Sequence, residues 1–348
     1  GLVDGGSGVD MATVLFEAAK EPAPTPGPEK AWVPAPTPTA TQLLADALIE
    51  RATVPAEAAR GIRALTRHPR RVAGKLVDGG AAVGSALWAT LRPAPPSPLN
   101  VRIGPHRRYT WVDADLREFK AIKDELGGTV NDVVLTAVAL GLGRYLRRHG
   151  HPTEDVELRA LVPVSVRADA EHGALGNRVA AMYAPLPVGL EDPEDAYRRV
   201  HEAMAGLKES GQAGGPQMNT QLGHLAPPTI LTQASRVAAR QRFFNVVVTN
   251  VPGPQFPLYI AGRRLLRLYP VVPLSLMQAL GVAIMSYDGR LGFGLLGDFD
   301  ALDDLDDLAE DLETSIAALA ATAGVRPPTN GRGRARTARN RLRAASPA

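Results

Sequence analysis

The 348-residue chain contains no cysteine. That excludes a disulfide scaffold, a thiolate nucleophile and any Cys-ligated zinc or iron–sulfur site. No apolar run approaches the ~20 residues a spanning helix needs, so the chain reads as soluble or peripheral. The opening lacks the charged stretch and apolar core of a signal peptide. Residue 1 is Gly1, and the first methionine, Met11, already sits inside an apolar pattern, so the sequence reads as beginning partway through a gene product. There is no internal repeat. The seven histidines (His68, His106, His149, His151, His172, His201 and His224) contain no HxxxH or HExxH pair. Each is read as a surface or capping histidine rather than a metal ligand. The acidic run Asp298–Asp307 lacks the glycine and closing glutamate of a calcium loop, and is read as a solvated helix start.

What is present is ordinary for a globular protein: 45% hydrophobic and 22% charged residues, in a length suited to one large domain or two average ones. The net charge is +3, but six arginines (Arg332, Arg334, Arg336, Arg339, Arg341 and Arg343) crowd the acid-free C-terminus. Taking those six from the 39 basic residues leaves 33 against 36 acidic, so the body stands at −3. The basic balance therefore belongs to a tail, and no nucleic-acid face is expected on the fold.

Residues 1–20 read as a glycine turn and then a helix, with Ser7 as N-cap and Val9, Ala12, Leu15 and Phe16 at helical spacing. Seven prolines from Pro22 to Pro38 make residues 21–40 an extended crossover. Residues 41–98 are rich in Ala and Leu and read as a helical connection. Residues 99–324 mix helices with strands, which argues an α/β layered domain. A strand is expected at Tyr109–Val112, with helices over Leu116–Leu126 and Val130–Arg148. Strands follow near Leu158–Val166 and Val179–Leu186, then a helix over Pro193–Lys208. A buried strand is read at Phe244–Val251, a hairpin turning at Asp288-Gly289 within Leu280–Leu296, and a last helix over Asp303–Ala321. Residues 325–348 read as a disordered tail.

Three polar constellations stand out. Asp4-Gly5-Gly6-Ser7-Gly8 lacks the Gly-Lys-Ser/Thr of a phosphate loop, and Val9 stands where a nucleophile elbow needs glycine. Thr129-Val130-Asn131-Asp132 has the spacing of a capping box, with Thr129 as N-cap and Asp132 at N3. Asn131, at N2, is left free to donate from the helix start, as an oxyanion donor must. Thr249-Asn250 ends the buried strand before Val251-Pro252-Gly253-Pro254. Turn chemistry accounts for that pair, and for Gly176-Asn177, as well as a site does.

Several segments together resemble one family. GLVDGGSGVDMATVLF, SPLNVRIGPHRRYTWV, KAIKDELGGTVNDVVLTAVALGLGRYL, LVPVSVR, LGNRVAAMYAPLPV, FNVVVTNVPGP and LGVAIMSYDGRLGFGLLGD are similar, in family order, to the C-terminal portion of bacterial wax ester synthase/acyl-CoA:diacylglycerol acyltransferases. The resemblance implies the two-lobed α/β fold of CoA-dependent acyltransferases, similar to chloramphenicol acetyltransferase, with one lobe nearly complete and the N-terminal lobe largely missing. It implies O-acyl transfer from acyl-CoA to diacylglycerol or a long-chain alcohol. In the family signature HHxxxDG, Gly1-Leu2-Val3 fall on the variable positions, Asp4 on the aspartate and Gly5 on the glycine. The general-base histidine would then precede residue 1. By the same resemblance Asp4 and Gly5 are structural, Asn131 is the candidate oxyanion donor and Asp132 holds the helix start. Thr249, Asn250 and Asn177 line the substrate channel.

No metal and no cofactor is implied, acyl-CoA being a substrate. The implied partners are acyl-CoA, the acceptor alcohol and the missing N-terminal lobe, and the implied setting is cytoplasmic with peripheral contact to a membrane or lipid-droplet surface. Two alternatives remain: a non-catalytic lipid- or partner-binding module of the same fold, and a condensation-type acyltransferase.

Overall fold

A computed structural model describes residues 15–21, 33–34, 36–45, 93–165, 179–209 and 243–325. The expectations for Asp4, Gly5, Asn177, the helices beyond residue 45 and the Arg-rich tail lie outside the described residues. The helix expected through Leu15 and Phe16 does not form there. Leu15 is in a turn, and Glu17 pairs with Tyr259 in an antiparallel bridge, each backbone N–H donating at 2.8 Å to the other's carbonyl. That partner is remote in sequence, so local apolar spacing could not reveal it. A helical turn at 40–45 starts from a box in which Gln42 N–H donates to Thr39 Oγ1 and Thr39 N–H to Gln42 Oε1.

The remaining elements are β1 (Arg107–Asp115), α1 (Leu116–Leu126), α2 (Val130–Arg148), β2 (Leu158–Ser165), β3 (Val179–Leu186), α3 (Pro193–Glu209) and β4 (Val246–Val251). Then come β5 (Tyr259–Ile260), β6 (Arg263–Arg264), β7 (Leu280–Tyr287), β8 (Arg290–Asp298) and α4 (Leu305–Thr322). Six strands form one sheet in the order β1-β8-β7-β4-β2-β3. The central β7–β4 and β4–β2 pairs are parallel and the outer pairs antiparallel. The hairpin turns as expected, with Asp288 at φ 45° and Gly289 at φ 76°, the left-handed pair that a two-residue turn of this hand requires.

Strand alternation divides the sheet into two faces. Val112, Ala114, Ala160, Val162, Met182, Ala184, Val246, Val248, Leu280, Val282, Ile284, Leu291, Phe293 and Leu295 join the helix-side core. α2 and α4 pack beneath them and come close at Gly141, where a Cβ would sit 3.1 Å from the Leu312 Cα. The other face carries small residues at β7 and β8, and the segment from Leu265 to Leu276 lies directly on it as a strap. A Cβ on Gly292 would be 2.1 Å from the Leu268 carbonyl oxygen, and one on Gly294 only 1.8 Å from that of Pro270. Those two strand glycines exist so that a second backbone can touch the sheet. The strap is further held where the Tyr109 hydroxyl donates to the Tyr269 carbonyl at 3.2 Å, where Trp111 packs on Tyr269, and where the Arg267 guanidinium meets the buried Asp113 at 3.1 Å.

The acidic run is not a solvated helix start. Asp298 is buried and accepts from the Gly104 and Ala301 amides, Asp306 accepts from the Thr110 hydroxyl at 2.6 Å, and Asp304 is held by Tyr145 and His149. Apart from amides of the run itself, its partners come from β1, the loop before it and α2, which a local reading of the run cannot see.

Candidate active site

α2 and α4 run antiparallel. At the C-terminal end of α2 the Tyr145 hydroxyl donates at 2.6 Å to Asp304, the N-cap of α4, and His149 meets the same carboxylate. α4 follows the C-terminal end of β8, which is antiparallel to β7. The carboxyl ends of β7 and β4 therefore lie at the opposite end of the sheet, where α2 begins. Asn131 and Asp132 at the start of α2 and Thr249 and Asn250 at the end of β4 thus share one end of the molecule, the end at which open α/β sheets bind their ligands.

The start of α2 is a complete capping box. Asp132 N–H donates to Thr129 Oγ1 at 3.3 Å, and Thr129 N–H donates to Asp132 Oδ2 at 2.9 Å. The sequence expectation for both residues holds. Asn131, between them, is half-buried, and among the described residues its amide has no hydrogen-bond partner. It is the one polar side chain of this turn not engaged in building it. The adjoining helix N-terminus favours negative charge beside it.

Asp132 does more than cap. Its side chain is 2% exposed, and Oδ2 also lies 3.1 Å from Nδ1 of His201 on α3, while Oδ1 is buried with no partner among the described residues. A carboxylate only accepts, so the nitrogen facing it carries the proton in either charge state of the ring. The side chain of His201 is 42% exposed, which leaves it reaching from solvent to a buried acid. Tyr197, one turn earlier on α3, stacks on the imidazole with ring planes 6° apart and donates its hydroxyl to the Gly127 carbonyl. Burial, aided by the Asp132 carboxylate, pushes that hydroxyl up to about 12, so it stays a donor. Sequence reasoning treated His201 as a surface residue. Its only local signal is the Tyr197/His201 spacing on one helix face, which names no partner.

The second half of the site is a parting of strands. β2 and β4 pair only at Ala160↔Val246 and Leu161↔Val247. Pro163, which lacks a donor, sits just beyond, where β2 still pairs with β3 at Ala181. Among the described residues, β4 beyond Val247 pairs only with β7, through Thr249↔Ala283 and Asn250↔Ile284. Both polar residues are half-buried on this open edge. Alternation sends them to opposite faces: Asn250 shares parity with the core residues Val246 and Val248, while Thr249 faces the strap side with Ala283. Nothing in the described residues joins Thr249 or Asn250 to Asn131 by hydrogen bond. Among the described residues no group of three or more His, Asp or Glu side chains could hold a metal ion.

Two family descriptions match the chain: "Wax ester synthase/diacylglycerol acyltransferase catalytic domain" over residues 1–134 and "WS/DGAT C-terminal domain" over residues 175–320. The chain is 34% identical over 272 residues to the "Probable diacyglycerol O-acyltransferase tgs1" of Mycobacterium tuberculosis strain H37Rv, covering 78% of this chain and 58% of that protein. Among solved structures it is similar to the wax ester synthase/diacylglycerol acyltransferase of Marinobacter aquaeolei VT8, with 25% identity and a TM-score of 0.60, covering 93% of this chain and 66% of that one. The chain thus spans somewhat under two thirds of either relative. The α/β fold of CoA-dependent acyltransferases expected from the sequence is the fold observed.

Proposed function

The chain belongs to the wax ester synthase/diacylglycerol acyltransferase family, and from that premise we propose that it supplies one lobe of an O-acyltransferase that moves a fatty acyl group from acyl-CoA to diacylglycerol or a long-chain alcohol. The observation that carries this reading is the half-buried Asn131 amide, unengaged among the described residues at the start of a buried, fully capped helix. The acceptor hydroxyl oxygen attacks the thioester carbonyl carbon as a base removes its proton. A C–O bond forms and the carbonyl electrons collect on oxygen, where the Asn131 amide donates to them. Collapse of that intermediate breaks the C–S bond, and the CoA thiolate leaves with the proton. A preorganised donor aimed at the developing charge is worth roughly 10²–10³ in kcat. The reaction needs neither metal nor covalent nucleophile, only a base and that donor.

No two of the seven histidines are adjacent in sequence, so the His-His of the family signature, and with it the base, would come from polypeptide outside these 348 residues. Asp4 and Gly5 would hold the signature turn, and Asn177, Thr249 and Asn250 would line the acyl channel. Among the described residues no single helix is long and apolar enough to cross a membrane, and contact with insoluble substrates would be peripheral. The test is acyl transfer from acyl-CoA to diacylglycerol or a fatty alcohol, by the chain alone and by the chain with a polypeptide ending in His-His. Activity only in the second case supports the reading. Robust turnover by the chain alone refutes the external base, and failure of both favours a binding module.

A further inference from the structure

Three features on α2 and α3 act on one short turn, Gly127-Gly128-Thr129. Tyr197 holds its first carbonyl. His201, through Asp132 Oδ2, holds the carboxylate that in turn receives the Thr129 amide. Gly128, at φ +80°, sits between them: a Cβ there would lie 2.6 Å from His201 Nδ1 and 2.7 Å from Asp132 Oδ2. Space for the imidazole against the carboxylate therefore exists only because residue 128 has no side chain.

A capping box alone does not call for this arrangement. Caps of this kind usually lie in solvent, whereas this carboxylate is 98% buried with one oxygen unpartnered among the described residues, which makes each remaining hydrogen bond to it costly to lose. His201 is the only basic side chain in ion-pair range of Asp132 among the described residues. Thr129 and Asp132 flank Asn131 on either side, so a carboxylate free to change rotamer would let the first helical turn fray and the Asn131 amide wander.

We propose that His201 is a positioning residue for acyl transfer, acting through Asp132 to fix the turn from which Asn131 donates. The inference rests on the reading of Asn131 as the oxyanion donor, but its structural half stands apart from that reading and is tested apart from it. An asparagine at this position can place its Nδ2 where the imidazole Nδ1 now lies, while leucine offers shape without a donor. In the ¹⁵N–¹H spectrum of the chain, His201→Leu shifts or broadens the Asn131 side-chain amide pair and the Thr129 backbone amide. The β7–β8 amides, remote from the turn, stay in place and report an intact fold. His201→Asn returns both signals toward their wild-type positions. In a preparation that turns over, His201→Leu lowers kcat by roughly 10- to 100-fold, the scale of a reacting group misplaced by about an ångström, with KM for acyl-CoA little changed, and His201→Asn recovers most of it.

Unmoved Asn131 and Thr129 signals in the leucine variant would overturn the proposal. So would an asparagine variant no closer to wild type than the leucine one, or a kcat insensitive to both. A wild-type preparation that transfers no acyl group would instead sink the acyltransferase reading, leaving the resonance result to stand or fall alone.

Discussion

Gly294→Ala adds one methyl group at the place where the strap rests on β8. The new Cβ would meet the Pro270 carbonyl oxygen at 1.8 Å and the Tyr109 hydroxyl at 2.8 Å. The first obstacle is backbone, so rotamer change cannot relieve it and the strap must lift. Lifting costs about 1–3 kcal/mol in misfit packing. It also loosens the hydrogen bonds of Tyr109 to the strap carbonyls, 3.2 and 3.4 Å long, a further loss of about 1 kcal/mol. A total of about 2–4 kcal/mol corresponds to a Tm lower by roughly 5–15 °C in a domain of this size. Thermal unfolding followed by near-ultraviolet circular dichroism reads it directly, because Trp111 and Tyr269 pack on one another at the contact. A matched control is Gly297→Ala, whose Cβ would have side-chain methyls of Leu302 and Leu305 as its nearest neighbours, the first at 3.2 Å, and which melts well above the Gly294 variant. A Gly294→Ala protein melting within about 2 °C of wild type would refute the claim that the strap sits against the sheet.

Gly206→Ala has the opposite sign: it lies within α3 and, the helix's own backbone aside, no described residue comes inside 4 Å of its would-be Cβ, so it should stabilise by about 0.5–1 kcal/mol, visible as a higher urea midpoint. Asn131→Ala should lower kcat of a competent preparation by roughly 10²–10³-fold while leaving Tm within about 2 °C, because the amide builds nothing; an equal loss in both would mark it as structural. The clamp between α2 and α4 should depend on pH. The Tyr145 carbonyl accepting from His149, together with the Asp304 carboxylate, raises the His149 pKa. Asp304 is lowered, since the hydrogen bonds from Tyr145 and His149 outweigh the upward push of burial. The histidine's contribution is then complete below its unfolded pKa of about 6.5 and fades as pH climbs through the raised folded value. The aspartate's is present above about 3.9 and fades as pH falls through the lowered one. The Tm gap between wild type and His149→Ala should thus be widest near pH 5–6 and shrink toward pH 9; a gap that grows with pH would contradict the pairing.

Elements whose causes are local were legible beforehand. α2 announces itself by a capping box at one end and by Gly150, at φ +71°, just past the other. The β7–β8 turn follows from Asp-Gly between two apolar runs. What escaped notice depends on chain segments far apart in sequence. The strap has neither helical nor strand period, because its backbone lies against glycines rather than in a hydrogen-bonded ladder. The hint lay instead in Gly281, Gly292 and Gly294 interrupting otherwise apolar strands. The acidic run does not face solvent as expected because, beyond its own amides, groups from β1, α2 and the loop before β1 occupy it. Of the candidate site, Thr129, Asn131 and Asp132 could be placed from spacing alone, and the opposite facing of Thr249 and Asn250 follows from simple alternation once β4 is bounded. The second partner of the Asp132 carboxylate could not be placed, for His201 stands 69 positions away on a helix whose stripe points to the core.

Among the described residues, the parting of β2 from β4 leaves consecutive peptide groups of a central strand without a neighbour on one side, in a sheet otherwise zipped from edge to edge. Such a seam is the cheapest place for the sheet to yield, since widening it breaks no backbone pairing between β2 and β4 beyond Leu161↔Val247. Crowding that enlarges the space beside Asn250 would therefore be absorbed there, while the hairpin gripped between strap and helices holds its shape.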